Sequence, residues 1–177
     1  MDKIISSKNL YFKESTLEDC SKFAVWEASD EITPYFSINK GRDYEEVKNE
    51  FLERQHSETE LQFSIFAKES DELIGRIYIS NLGGHDNCCD ITRIYIGDVS
   101  NRGKGLGEEA VRLIMDYLFD KYGLNRITID HFMENNRAGK LYLKIGFKYI
   151  GVARQAAFKN NEYYDLHLMD ILRSEYM

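Results

Sequence analysis

The chain has 177 residues, one domain's worth against a usual span of roughly 100 to 200, and a single domain over 1–177 is expected. Its 43% hydrophobic and 13% aromatic content excludes intrinsic disorder and a disulfide-stapled mini-protein. Lys and Arg number 23 against 30 Asp and Glu, a net charge of −7, which argues against a phosphate-backbone binder and leaves no nucleic acid expected as a partner.

Met1 to Leu10 carries Lys3 and Lys8 but no apolar core of a secretory signal. No apolar run approaches the roughly 20 residues of a membrane span, so a cytoplasmic protein with no membrane partner is expected. Cys20, Cys88 and Cys89 match neither a disulfide framework nor a zinc knuckle. His56, His85 and His167 have no mates at metal-ligand spacing, and adjacent Asp130 and His131 fall on alternate faces of a strand, so no metal is expected.

In chain order, Leu10 to Phe12 reads as a short strand, and Ser15 or Thr16 as the cap of a helix running to about Ala28. Asp43 to Gln55 reads as a second helix with Tyr44, Val47, Phe51 and Leu52 on one side. Leu61 to Lys68 and Glu72 to Ser80 form a hairpin about a Ser70-Asp71 turn, followed by a β-rich run from Cys88 to Gly97. Leu106, Ala110, Leu113, Ile114, Tyr117 and Leu118 then make the stripe of an amphipathic helix ending near Gly123. Arg126 to Phe132 returns to strand. Ala138, Leu141, Tyr142 and Ile145 make another helical stripe, stopped by Gly146. Phe147 to Val152 and Tyr163 to Met169 close the chain as strands. This order predicts an α/β (α+β) fold, one mixed sheet with packed helices.

The chemistry concentrates at Arg102-Gly103-Lys104-Gly105-Leu106-Gly107, a glycine loop between a strand and a helix. Such a loop leaves backbone N–H groups free at a helix N-terminus, where the dipole favours anions and glycine lets a pyrophosphate approach the main chain. The triphosphatase loop is excluded because Glu108 and Glu109, not Lys-Ser/Thr, follow the last glycine. The dinucleotide fingerprint is excluded because the sixth place from Gly103 is Glu108.

A second stretch, Asn135 to Phe147, has the form Asn-x-x-Ala-x-x-Leu-Tyr-x-Lys-x-Gly-Phe. With the loop, of form Arg/Gln-x-x-Gly-x-Gly/Ala, it resembles the GNAT superfamily of acetyl-coenzyme A dependent N-acetyltransferases. Ile94 to Asp98 and Tyr163 to Met169 resemble the branch that includes ribosomal-protein N-terminal acetyltransferases and spermidine N-acetyltransferases, and Ile171 to Tyr176 leans to the spermidine side. The likeness is strong over about 88–170 and rests mostly on element order before that.

The resemblance implies a mostly antiparallel sheet, helices on both faces, splayed where acetyl-coenzyme A enters. Arg102, Gly103, Lys104, Gly105, Leu106 and Gly107 would hold the pyrophosphate, Lys104 standing equally as a solvated helix-start residue. The strand edge at Ile94 and Ile96 would pair with the pantetheine arm, and Asn135 would line the channel. Tyr142 would act at the sulfur as the catalytic residue; packing alone makes it a core tyrosine.

The acceptor implied is a primary amine of a small molecule, a polyamine such as spermidine first, or of a protein or peptide N-terminus. Tyr35 and Phe36, with Trp26, stand as an aromatic wall for it, and Asp90 as a polar contact. The spermidine enzymes it resembles often carry an acidic run where Ser37 to Gly41 stands here, so a polyamine regulatory site is not expected. Asp90, Asp130, His131, Glu134 and Asp165 are the candidates for base or for ordering water. Many relatives carry a glutamate where Ile91 stands, which points to a water chain in place of a single base. A homo-oligomer, a dimer, is the assembly to look for. The rival reading is a non-catalytic coenzyme A binding regulatory module of the same fold.

Overall fold

The computed structural model describes residues 5–36 and 42–176. The strands are β1 (Ile5–Ser6), β2 (Leu10–Glu14), β3 (Leu61–Ala67), β4 (Leu73–Gly83), β5 (Cys88–Ile96), β6 (Arg126–Phe132), β7 (Lys148–Lys159) and β8 (Glu162–Leu172). The helices are α1 (Asp19–Glu27), α2 (Tyr44–Arg54), α3 (Leu106–Tyr122), α4 (Asn136–Ile145) and α5 (Arg173–Tyr176). One sheet runs β1-β2-β3-β4-β5-β6-β8-β7, and among the described residues only β5 and β6 are parallel. That pair is joined by α3, since parallel neighbours need a crossover and a helix supplies it. No helix among the described residues is long and apolar enough to cross a membrane.

The sheet divides its helices. On one face Phe63, Ile65, Ile77, Ile79, Cys89 and Ile91 meet Ala110, Val111, Ile114 and Leu118 of α3 and Tyr142 and Ile145 of α4 in the main core. On the other, Tyr95 packs with Cys20, Phe23 and Trp26 of α1 and Val47 and Phe51 of α2. The expected helices fall in place, with corrections at their edges. α2 is closed by a capping box, Asp43 accepting from the Glu46 N–H at 2.9 Å and Glu46 accepting from the Asp43 N–H at 2.9 Å. Only Val47 and Phe51 of its expected stripe are buried; Tyr44 and Leu52 are exposed. α1 starts at Asp19, two or three residues later than expected: Asp19 turns back to accept from the Thr16 N–H and the Ser64 hydroxyl, so neither Ser15 nor Thr16 caps the helix.

The closing hairpin is longer than the sequence predicts, β7 reaching Lys159 instead of Val152 and β8 starting at Glu162. It turns at Asn160 and Asn161, both with positive φ, as a two-residue hairpin loop requires. β7 is an edge strand with most residues exposed and its register shifts between Ala153 and Ala157, so it shows no alternation to read.

The parallel pair stops early. Cys88 to Ile91 are registered against Arg126 to Ile129, after which β5 continues to Ile96 and β6 to Phe132 without pairing. The β4–β5 register also shifts where Tyr78 faces Arg93 and Ile79 faces Ile91, leaving Thr92 as an extra residue. Such a bulge bends a strand and re-aims its side chains. The sheet thus opens between β5 and β6, as expected, and this opening places the site.

Candidate active site

A cleft of about 910 Å³ fills the opening and continues along the start of α3 to the start of α4. At its α3 end the chain makes a 3-10 turn, Val99–Asn101, held by Asp98, which accepts from the Ser100 N–H at 2.9 Å. Gly103 and Gly105 then adopt φ +76° and +77°, where a side chain would be strained. A Cβ built on Gly103, Gly105 or Gly107 would project into open space, so the three glycines leave a cradle that side chains would fill. No side chain caps α3, and its first bonded amide is that of Glu109, to the Gly105 carbonyl at 3.1 Å. The N–H groups of Leu106, Gly107 and Glu108 remain for a ligand.

The two glutamates that follow do not oppose an anion. Glu109 accepts from Ser7 Oγ at 2.6 Å and from the Asn9 N–H at 2.7 Å. Glu108 is neutralised by Lys144 at 2.6 Å and Arg112 at 3.1 Å. Arg102, Arg137 and Lys140 also line the cleft, Arg102 meeting Glu31 at 3.7 Å, and they add cationic groups on an acidic protein. Arg137 and Lys140 escaped the sequence reading, although their i, i+3 spacing puts them on one face of α4. Lys104 does not line the cleft; it is exposed, with Nζ 3.5 Å from Asn101 Oδ1.

Midway, Ile94 and Ile96 line the cleft on the unpaired edge of β5. Asn135 also lines it, and its Oδ1 is already engaged in capping α4, accepting from the Ala138 N–H at 3.1 Å. Tyr142 is buried among His131 and Phe147 yet faces the cleft, and its hydroxyl bonds to no described residue. Burial, with the Asp130 charge nearby, holds its pKa well above the usual phenol value.

Farther along the cleft stand Tyr35, Phe36, Arg93, Tyr95, Asp130, His131 and Glu134. Lys159 anchors this wall from β7, its ammonium donating to the Thr33 carbonyl and, at 2.9 Å, to the Phe36 carbonyl. Trp26 is not part of it; it is a core residue packed on Phe23 and Tyr95. Ser37 to Gly41, where the acidic run is missing, lie outside the described residues.

The base candidates separate. Asp90 lies outside the cleft, accepting from Asn81 Nδ2 and Thr128 Oγ1, which removes it as an acceptor contact. Asp165 is outside too, accepting from the Gln155 N–H at 2.7 Å. His131 lies 2.8 Å through Nδ1 from the Phe132 carbonyl, which can only accept, so Nδ1 carries the proton. Burial lowers its pKa and keeps it neutral. Asp130 opens on the cleft with protein around its other sides; that desolvation, with Asp90 nearby, raises its pKa above the usual carboxylate value. Ile91 is a core residue, as its place opposite α3 requires.

Residues 9–148 match the model of the acetyltransferase (GNAT) domain. The chain belongs to the GNAT acetyltransferase family. It is 28% identical to an uncharacterized N-acetyltransferase of Bacillus licheniformis, covering 96% of both chains. It is 29% identical to a ribosomal-protein-serine acetyltransferase of Escherichia coli over 60% of this chain and 57% of the other. In fold it matches a crystal structure of spermidine N-acetyltransferase from Vibrio cholerae in complex with CoA and spermine, with a TM-score of 0.87 at 22% identity, covering 96% of this chain and 99% of that one. This GNAT protein is therefore an acetyltransferase, and acetyl-coenzyme A is the donor that goes with the family.

Proposed function

We propose that this GNAT protein transfers the acetyl group of acetyl-coenzyme A to a primary amine of a small molecule or peptide, in the cytoplasm. One observation carries the reading: a single cleft joins the free amides of α3, the unpaired edge of β5, the Tyr142 hydroxyl and an acceptor wall at Tyr35 and Phe36. The α3 amides of Leu106, Gly107 and Glu108, in their glycine cradle with Arg102, Arg137 and Lys140 about it, hold the pyrophosphate and its neighbouring phosphates. The edge at Ile94 and Ile96 takes the pantetheine amides as an added strand would. Free thiols at Cys20, Cys88 and Cys89 support a reducing compartment.

The bound thioester supplies an activated acyl carbon, and the attacking amine must arrive neutral. At pH 7 an alkylamine of pKa about 10.4 costs roughly 4.6 kcal/mol to deprotonate, an α-amine near 7.8 only about 1. Asp130, its pKa raised, accepts that proton directly or through water. As the C–N bond forms the nitrogen loses a further proton to water, and as the C–S bond breaks Tyr142 offers its O–H to the departing thiolate, which takes its proton from solvent. A phenol of ordinary pKa is already about 2 kcal/mol short of protonating a thiolate near 8.5. The upward shift here widens that gap, so Tyr142 acts as a hydrogen-bond donor to charge developing on sulfur.

The test is thiol release from acetyl-coenzyme A with an amine panel. Spermidine and spermine head it because the structural neighbour is a spermidine N-acetyltransferase, followed by N-terminal peptides, amino acids and aminoglycosides. Release above hydrolysis with any of them upholds the reading. Tight cofactor binding with no release across the panel replaces it with a non-catalytic coenzyme A module.

A further inference from the structure

Beneath the acceptor wall lies an ionic cluster that the transfer chemistry does not use. Glu27, whose side chain is fully buried, accepts from Arg76 Nη1 and from the Tyr95 hydroxyl, both at 2.8 Å, and meets Arg42 at 3.2 Å. Glu50 meets Arg42 at 2.5 Å and Arg93 Nη1 at 2.8 Å. Three guanidiniums thus share two carboxylates; adding Arg54, paired to Glu50 at 2.6 Å and 3.9 Å from Glu60, leaves the same single surplus positive charge. A charge removed from water and not neutralised is costly unless a partner arrives.

Arg93 is where the surplus meets the cleft. It is 8% exposed and lines the cleft, unlike Arg42 and Arg76. Its hydrogen bond and ion pairs among the described residues run through Nη1, to Glu50 and, at 3.5 Å, to Glu27. Nε and Nη2 bond to no described residue and, unlike Arg76 Nε, are not sealed from the surface. An arginine held through Nη1, with Nε and Nη2 unbonded, has two donors that match a planar carboxylate. Asp130 and Glu134, also on the cleft, have no cation within ion-pair distance among the described residues, which suits an ammonium elsewhere on the same ligand.

We propose that Arg93 sets acceptor specificity, its free guanidinium edge binding a carboxylate on the amine that is acetylated. The acceptor is then an amino carboxylate, a free amino acid or a peptide bearing an acidic residue, and not a plain polyamine. This rests on the acetyl-transfer reading and narrows its acceptor.

Matched pairs test it: lysine against cadaverine, ornithine against putrescine, and Ser-Glu against Ser-Gln N-terminal peptides. The first two pairs report an α-carboxylate and the third a side-chain one. In at least one pair the carboxylate member should have the higher kcat/KM by about tenfold or more. In Arg93→Gln that ratio should collapse to near one. Arg93→Lys, which keeps a charge against Glu50 if the glutamine variant fails to fold, should reduce it by roughly threefold or more. Calorimetry of the same pairs on coenzyme A-loaded protein separates the two readings. Tighter binding of the carboxylate member, lost in the variants, upholds Arg93 even where no thiol is released. Equal binding and equal kcat/KM within every pair, or spermidine outrunning all carboxylates, overturns it.

Discussion

On the α3 side of the sheet Phe63, Ile65, Ile77, Ile79 and Ile91 are closed by apolar residues, whereas on the α1–α2 side the same three strands present Gln62, Ser64, Arg76, Tyr78 and Arg93. One alternation along β3, β4 and β5 produces both faces, since successive side chains point to opposite sides. The apolar face asks only for volume, and it carries α3 and α4, whose N-termini border the cofactor end of the cleft. The ionic face asks for direction as well: each guanidinium must find its carboxylate, and the partners come from α1, α2 and the segment before α2. The difference teaches that this chain places its generic work on one face and its selective contacts on the other. Buried ions add little net stability over apolar packing but cost heavily when half-broken.

The largest effect that would break this comparison is Glu27→Leu, which removes the 2.8 Å partner of fully buried Arg76 and the acceptor of the Tyr95 hydroxyl. It should destabilise by about 3–5 kcal/mol, while Ile77→Val on the apolar face costs about 1 kcal/mol. Glu27→Leu combined with Arg76→Met should recover much of the loss. Urea midpoints settle it, and equal costs for Glu27→Leu and Ile77→Val would make the two faces equivalent.

Acid gives the next largest effect. Burial alone would raise the Glu50 pKa, but Arg93, Arg76 and Arg42 outweigh it and bring the carboxyl from an ordinary value near 4.5 down to about 2. A depressed carboxyl contributes stability that is whole above the unfolded value and is lost as pH falls toward the folded one. The window is therefore pH 4.5 to about 2, and the stake is roughly 3 kcal/mol. Glu50→Gln should be flatter than the parent between pH 5 and 3 in urea titrations; parallel curves would show that Glu50 does not carry the acid sensitivity.

The two faces were unequally legible. α3 announced itself because its stripe faces a wholly apolar surface, and the loop because Gly103, Gly105 and Gly107 have little reason to cluster except close approach to the main chain. The ionic face is not legible along the chain. Arg76 and Arg93 sit in runs of isoleucine, a signal that strands β4 and β5 bury them, but which carboxylates meet them depends on where α1 and α2 land. His131 and His167 look isolated along the chain and are cross-strand neighbours, with ring centroids 5.2 Å apart, because register between β6 and β8 is a tertiary fact. Asp90 and Asp130, both aspartates of central strands, differ because the sheet opens after Ile91 and Ile129, beyond one and before the other. The second half of β7 leaves no mark in the sequence, because an edge strand with exposed residues has no buried face to reveal it.

Within the cleft, Tyr142→Phe should lower turnover by roughly ten- to a hundredfold, about 1.4–3 kcal/mol, with little change in the dissociation constant of acetyl-coenzyme A, since the hydroxyl meets charge that develops on sulfur only during reaction. Single-turnover kinetics are the proper readout, so that product release does not mask the step. An unchanged rate of acetyl transfer would return Tyr142 to the core it shares with Phe147, and the apolar face would then contribute packing and cofactor binding but no catalytic group.

The smallest effect sharpens the division between the faces. Gly105→Val places a branched side chain at φ +77° and into the cradle before α3, so acetyl-coenzyme A should bind at least tenfold more weakly, about 1.4 kcal/mol. Strain and obstruction both act there, and Gly107→Ala separates them. Gly107 does not have positive φ and its added Cβ would also point into open space, so a loss of affinity there comes from filling the cradle alone. Calorimetry should rank Gly105→Val below Gly107→Ala and both below the parent. The preference between matched acceptors should stay as in the parent, because Arg93 lies on the other face. If both folded variants bind as tightly as the parent, the α3 loop is not the phosphate site. If instead they change acceptor preference as strongly as cofactor affinity, the two faces do not divide the work.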